Sequence, residues 1–244
     1  MVTAMAADSP VTFVLVHGAW SGGWCYHKVA ARLRARGYAV FTPTLTGQGE
    51  RSHLLDGTVN LSLHIQDVLN VFHYENLNRV VLAGHSYGGM VITGVADRIA
   101  DRICALAYLD AFLPEDGQSL FDINIPANTQ RFIANAGAIG GLAVPSPPAA
   151  FFNVNAADAP RVDALASPFP LGAFTEKLKL TGAHKAIARR IYVHGTVLPR
   201  PSPFKPFYDR VKADPGWQAH ALACGHHVML DEPDRVTEIL HSAA

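Results

Sequence analysis

A rhythm of apolar runs narrows the fold before any single residue does. "VTFVLVH" (11–17), "YAVFTPT" (38–44), "RVVLAG" (79–84), "ICALAYLD" (103–110), "RRIYVHG" (189–195) and "WQAHALA" (217–223) each read as a strand. Their apolar residues sit largely side by side rather than alternating, as in strands buried on both faces of a parallel sheet. Stretches with helical spacing lie between them. Residues 24–36 put Val29 and Leu33 on one face with Gly37 as a stop, and residues 61–74 repeat Leu61, Ile65, Val68, Leu69 and Phe72. Segments 89–100, 203–212 and 233–241 follow suit. Alternation of this kind implies right-handed crossovers and an open, mostly parallel α/β sheet of six strands with helices on both faces.

One stretch breaks the rhythm. From 113 to 183 the chain is rich in Pro, Ala, Gly and Asn and has no clear strand signal. A structureless loop of that length does not suit a compact domain, so a cap of short helices inserted over one edge of the sheet is expected. The whole chain, 1–244, is then a single domain, with its core at about 1–112 and 184–244 and its cap at about 113–183. Six cap aromatics (Phe121, Phe132, Phe151, Phe152, Phe169 and Phe174) either line a pocket or pack the cap onto the core.

Composition bears on partners. With 20 basic and 20 acidic residues the formal net charge is zero, and no basic run marks a surface for nucleic acid or anionic lipid. No apolar run reaches the roughly 18 residues of a membrane span. "MVTAMAADSP" at the N-terminus lacks the basic and apolar regions of a signal peptide. Cys25, Cys104 and Cys224 cannot all pair and form no CxxC, so reduced thiols and a cytoplasmic location are expected. The histidines are scattered, without zinc-helix spacing, and neither a metal nor an organic cofactor is expected.

The chemistry centres on Gly84-His85-Ser86-Tyr87-Gly88, where the third strand ends and a helix begins. This is the G-x-S-x-G pattern, in which serine occupies a strained strand-to-helix turn and a Cβ at either flanking glycine would strike a neighbour. The turn lifts the hydroxyl above the sheet edge, at a helix N-terminus that favours negative charge. A serine nucleophile needs a base and oxyanion donors. "HGAW" (17–20) ends the first strand on the same edge. It offers the Ala19 N–H, which the N–H of Tyr87 would join, while His17 reads as a structural hydrogen-bonding residue. "CGHHVMLDEP" (224–233) follows the last strand and supplies two adjacent histidines, of which one can be the base.

With these motifs the chain resembles the α/β-hydrolases, and among them the plant methylesterases, hydroxynitrile lyases and their bacterial esterase relatives. "FVLVHGAWSGGWCYHKV", "LAGHSYGGMV", "YLDAFLPEDGQSL" and "GHHVMLDEP" carry the likeness over nearly the whole length. In that group the catalytic histidine stands seven residues before the proline of the last "EP", which here gives His226 (233 − 7). His227 beside it, Trp20 and Phe112 are then candidate substrate contacts.

The acid departs from the plant pattern. Those relatives carry an Asp just after the strand matching "RRIYVHG", whereas this chain continues "TVLPRPSPF" without a carboxylate. Asp110 closes the preceding apolar strand on the same edge, where a buried carboxylate would need a partner such as a histidine Nδ1–H. The alternative is a turn cap. Asp209, Asp214 and Asp231 are weaker candidates, placed on expected helices or turns.

Ser86, Asp110 and His226 together imply a cofactor-free serine carboxylesterase acting on a small ester; the apolar cap points to a hydrophobic or aromatic acid, and the resemblance implies a methyl ester. The first alternative is a hydroxynitrile lyase on the same fold. The resembling lyases place a lysine after the catalytic histidine and Thr or Ile near the position of Ala19, and this chain has His227 and Ala19. The second is a non-catalytic ligand receptor, a class that usually loses a triad member. Oligomeric state is open, a homodimer included.

Overall fold

The computed structural model describes residues 10–244, and the N-terminal segment read above for a leader lies largely outside them. Six strands join in one parallel sheet: β1 (Thr12–Val16), β2 (Ala39–Phe41), β3 (Val80–His85), β4 (Ile103–Leu109), β7 (Arg190–Gly195) and β8 (Trp217–Leu222), in the order β2-β1-β3-β4-β7-β8. β1 and β3 are buried at every residue, as their unbroken apolar runs require. The edge strands differ. β2 forms only over three residues of its expected seven, and β8 leaves most of its side chains partly exposed. An edge strand packs against a neighbour on one side only, so its sequence need not be uniformly apolar.

Helices α1 (His27–Ala35), α2 (Leu61–Tyr74), α3 (Gly88–Arg98), α8 (Lys205–Lys212), α9 (Val228–Asp231) and α10 (Pro233–His241) accompany the sheet. α2 begins where Asn60 accepts from the Leu63 N–H, a side-chain cap at the helix N-terminus. α1 starts later than its sequence pattern suggests, because residues Gly23–Tyr26 wind as a tight 3-10 turn first. Arg32 of α1 and Arg36 just after it pair with Asp234 and Glu238 of α10 and fasten those two helices together.

Between β4 and β7 lie α4 (Leu120–Ile123), α5 (Pro126–Gly137), α6 (Ala159–Leu165) and α7 (Leu171–Thr175), with a two-stranded antiparallel ladder of β5 (Ala143–Val144) and β6 (Phe169–Pro170). The ladder was not expected: two residues per strand are too few to show a periodicity. Polar ties hold this segment down. Lys28 reaches Asp158 at 2.6 Å, Asn155 bonds Asp231, and Asp97 accepts from the N–H groups of Thr181 and Gly182. All three cysteines are free, Cys104 only half-buried. Among the described residues no helix is long and apolar enough to cross a membrane.

Candidate active site

Strand order reverses at β1, which has β2 on one side and β3 on the other. In open α/β sheets ligands bind at such a reversal, outside the C-terminal strand ends. β1 runs out there into His17–Trp20 and β3 into Ser86. Three of the residues with left-handed backbone, Trp20 (φ 63°), Ser86 (φ 53°) and Asp110 (φ 43°), lie around this edge. Non-glycine residues hold that conformation at a cost of about 1–3 kcal/mol, and such strain gathers at functional sites.

The turn at Ser86 works only with small flanks. A Cβ at Gly84 would come within 2.6 Å of the Gly88 carbonyl oxygen, and one at Gly88 within 2.7 Å of that of Val16. With both absent, Ser86 packs into the turn and its side chain faces a cleft of about 490 Å³, counting the open mouth. Ala19, Tyr87 and His226 line the same cleft. The backbone N–H groups of Ala19 and Tyr87 have no hydrogen-bond partner among the described residues, so both remain available to a ligand oxygen.

Two buried histidines support this floor. The Leu45 N–H donates to His17 Nε2 at 3.0 Å, which leaves the His17 proton on Nδ1 to be donated to the Gly18 carbonyl at 2.7 Å. His64 donates from Nε2 to the Thr46 carbonyl and accepts from the Tyr87 hydroxyl, both at 2.9 Å. Burial pushes each imidazole down to about 4. Both folded values lie below the ordinary value of about 6.5, so the unfolded chain takes up these protons first as pH falls. The stabilisation is therefore present above about pH 6.5 and drains away between there and about pH 4, by up to about 3 kcal/mol per histidine. Thermal melts should show Tm dropping across that interval, with a shallower slope in His64→Gln; a Tm independent of pH there contradicts this.

Asp110 closes β4, fully buried, and its carboxylate is shared. Oδ2 accepts from His226 Nδ1 at 2.7 Å, and Oδ1 accepts from His194 Nδ1 at 2.7 Å and from the Gly195 N–H at 3.2 Å. Because a carboxylate accepts, His226 donates from Nδ1, which makes Nε2 the acceptor nitrogen of the neutral ring. The ring stacks on Phe204, centroids 4.7 Å apart and planes 5° from parallel, and the His226 N–H donates to the Phe152 carbonyl at 2.9 Å. His194 was not anticipated. It sits in β7, and a lone histidine within an apolar strand gives no signal beyond that of a core residue. Its strand is the one after which the plant pattern has its acid.

The remaining expectations divide. Trp20 and Phe112 line the cleft, and Trp20 Nε1 donates to the Val144 carbonyl at 2.9 Å. His227 does not line it. Its ring lies against His85 and Phe152, with centroids 5.0 and 5.4 Å away, because the chain turns into α9 immediately after it. Burial pushes His227 down to about 3. Of the cap aromatics, Phe132, Phe151, Phe152 and Phe174 line the cleft. Phe169 instead packs between Tyr87 and Phe174, and Phe121 sits against Phe174. Among the described residues no group of three or more His, Cys, Asp or Glu is arranged to hold a metal.

Comparison with known proteins agrees with this architecture. The sequence is 46% identical over 237 residues to a carbendazim-hydrolysing esterase from a Nocardioides species, covering 93% of this chain and 97% of that one. Methylesterase 7 of Arabidopsis thaliana is 32% identical over 113 residues, 46% of this chain and 44% of that protein. Among solved structures, an extracellular alpha/beta-hydrolase from a Paenibacillus species, described as homologous in structure and function to tobacco salicylic acid binding protein 2, superposes with a TM-score of 0.83 at 26% identity, covering 96% of this chain and 99% of that one. The sequence pattern of the alpha/beta hydrolase family matches residues 13–239, and the chain belongs to that family.

Proposed function

We propose that this ester hydrolase works by acyl transfer through Ser86, with His226 as general base and acid, Asp110 as its carboxylate, and the N–H groups of Ala19 and Tyr87 as oxyanion donors. The observation that carries the reading is the 2.7 Å contact between Asp110 and His226 Nδ1. It assigns the Nδ1 proton to this bond, so in the neutral imidazole Nε2 is the free base, on a residue that lines the same cleft as Ser86.

Ser86 Oγ attacks the ester carbonyl while His226 Nε2 takes its proton, and the carbonyl oxygen gathers negative charge opposite the two free N–H groups. Collapse of the tetrahedral species breaks the bond to the alcohol, which leaves with the proton from His226. Water then repeats the sequence: His226 removes its proton, the acyl–serine ester bond breaks, and the proton returns to Ser86. Asp110 holds the imidazole in the required tautomer and stabilises the imidazolium. His194 is a positioning residue: by holding Oδ1 it fixes the carboxylate so that Oδ2 faces His226.

The aromatic lining suits a hydrophobic or aromatic acyl group, and kinship with methylesterases suits a methyl ester. A lyase acting through the same serine and histidine is less well served. The position after the base is a buried, neutral imidazole that does not reach the cleft, so no cation is there to hold cyanide. The decisive assay compares p-nitrophenyl acetate, methyl benzoate, carbendazim and mandelonitrile. Hydrolysis of one or more of the first three without cleavage of mandelonitrile is expected; cleavage of mandelonitrile alone would reverse the assignment.

A further inference from the structure

One side of the cleft is unlike the rest. Most of its lining is apolar, but its rim carries Arg200, Asn124 and Asn128. Arg200 and Arg131 both lie over the ring of Phe151, their guanidinium carbons 3.4 and 4.1 Å from its centroid. Contact with the ring's negative face offsets part of the cost of holding two cations there. Neither arginine has a carboxylate partner among the described residues; Arg131 donates to Asn128 Oδ1 at 3.1 Å instead. Partial burial lowers the pKa of both guanidinium groups, and Arg131's charge lowers that of Arg200 further. Two like charges thus share a half-buried place without a counter-ion.

The neighbouring amides add to this polarity. Asn124 Oδ1 accepts from the Ile125 N–H at 2.8 Å and from Asn128 Nδ2 at 3.4 Å, and Asn128 Oδ1 is taken by Arg131. Both amide oxygens are therefore engaged. What the rim has left to offer is mostly N–H groups, those of Asn124, Asn128 and the Arg200 guanidinium. An uncompensated positive rim made of donors is complementary to a group that only accepts and carries negative charge.

We propose that Arg200 and Phe151 at the rim, with Arg131 behind them on the same ring, are a subsite for a carboxylate at the far end of the substrate, so that the preferred substrate class is the monoester of a dicarboxylic acid. The ester carbonyl then sits at Ser86 while the free carboxylate meets Arg200. This rests on the acyl-transfer reading of the cleft and specifies its acyl group.

The test measures binding without turnover. Monomethyl terephthalate and methyl 4-methylbenzoate are similar in shape and differ in a carboxylate against a methyl group. Titration calorimetry on Ser86→Ala should find the carboxylate ester bound about tenfold more tightly, a difference of about 1.4 kcal/mol. That preference should shrink as sodium chloride rises from about 50 to about 500 mM, since the rim is open to solvent. Adding Arg200→Gln should bring the two affinities together, and adding Arg131→Gln should weaken the preference. Equal binding of the two esters, binding of neither, or a preference that survives both substitutions overturns the proposal. Turnover of methyl 4-methylbenzoate by the unaltered enzyme tests the acyl-transfer reading separately, because it needs no carboxylate.

Discussion

Ser86→Ala should lower ester turnover by about 10⁴ to 10⁶-fold, and adding His226→Ala to that variant should lower it little further. The expectation follows from the proposed acyl transfer, in which the two residues act as one device. In that reading the histidine has a proton to take only while the serine hydroxyl is present, so removing either disables the same step. Residual activity would come from the free N–H groups of Ala19 and Tyr87 and from binding in the cleft. Folding should be undisturbed, because Ser86 holds its turn through its backbone: its N–H donates to the Leu109 carbonyl, and its own carbonyl accepts from Gly89 and Phe112. Steady-state kinetics on p-nitrophenyl acetate, with thermal melts as control, decide the matter. A Ser86→Ala enzyme with a tenth of the original rate would remove the serine from the mechanism, and single losses that multiply in the double variant would show that the two residues do not act as a unit.

How far the sequence foretold this arrangement depends on what kind of signal each part leaves. A strand buried on both faces must be apolar at successive positions, so β1, β3 and β4 could be read directly. The close approach of the backbone at Gly84 and Gly88 leaves its own mark, since only glycine fits. Asp110 was legible by contrast: a carboxylate ending an otherwise apolar strand needs a partner, and the segment directly after β7, 196–204, holds no acid. His194 left no such mark, because its bond to Asp110 spans 84 positions in sequence and a histidine in a strand is compatible with simple burial. His227 misled for a different reason. Which way a residue points beside His226 depends on where α9 begins, and helix starts are not fixed by local composition alone. The cap resisted reading throughout, because its elements are short and held by scattered side-chain bonds rather than by a repeating pattern.

The shared carboxylate gives the second large effect its shape. Asp110→Asn should cost up to about 10⁴ in turnover, because an amide can present its NH₂ to His226 and so favour the imidazole tautomer with the proton on Nε2, facing the serine. His194→Ala leaves the carboxylate and the Gly195 N–H in place but removes one charge-assisted bond, of about 1.5–3 kcal/mol where fully buried. If the bond serves to hold the carboxylate in register, kcat should fall by about 10 to 100-fold with KM little changed. His194→Asn should recover much of that loss, since its amide can place a donor near the position of Nδ1. A residue that only packs β7 would behave otherwise: both substitutions would lower Tm, and the kcat of the folded enzyme would stay level. Should Asp110→Asn also leave kcat level, the carboxylate is a turn cap, and the 2.7 Å contact with His226 is structural.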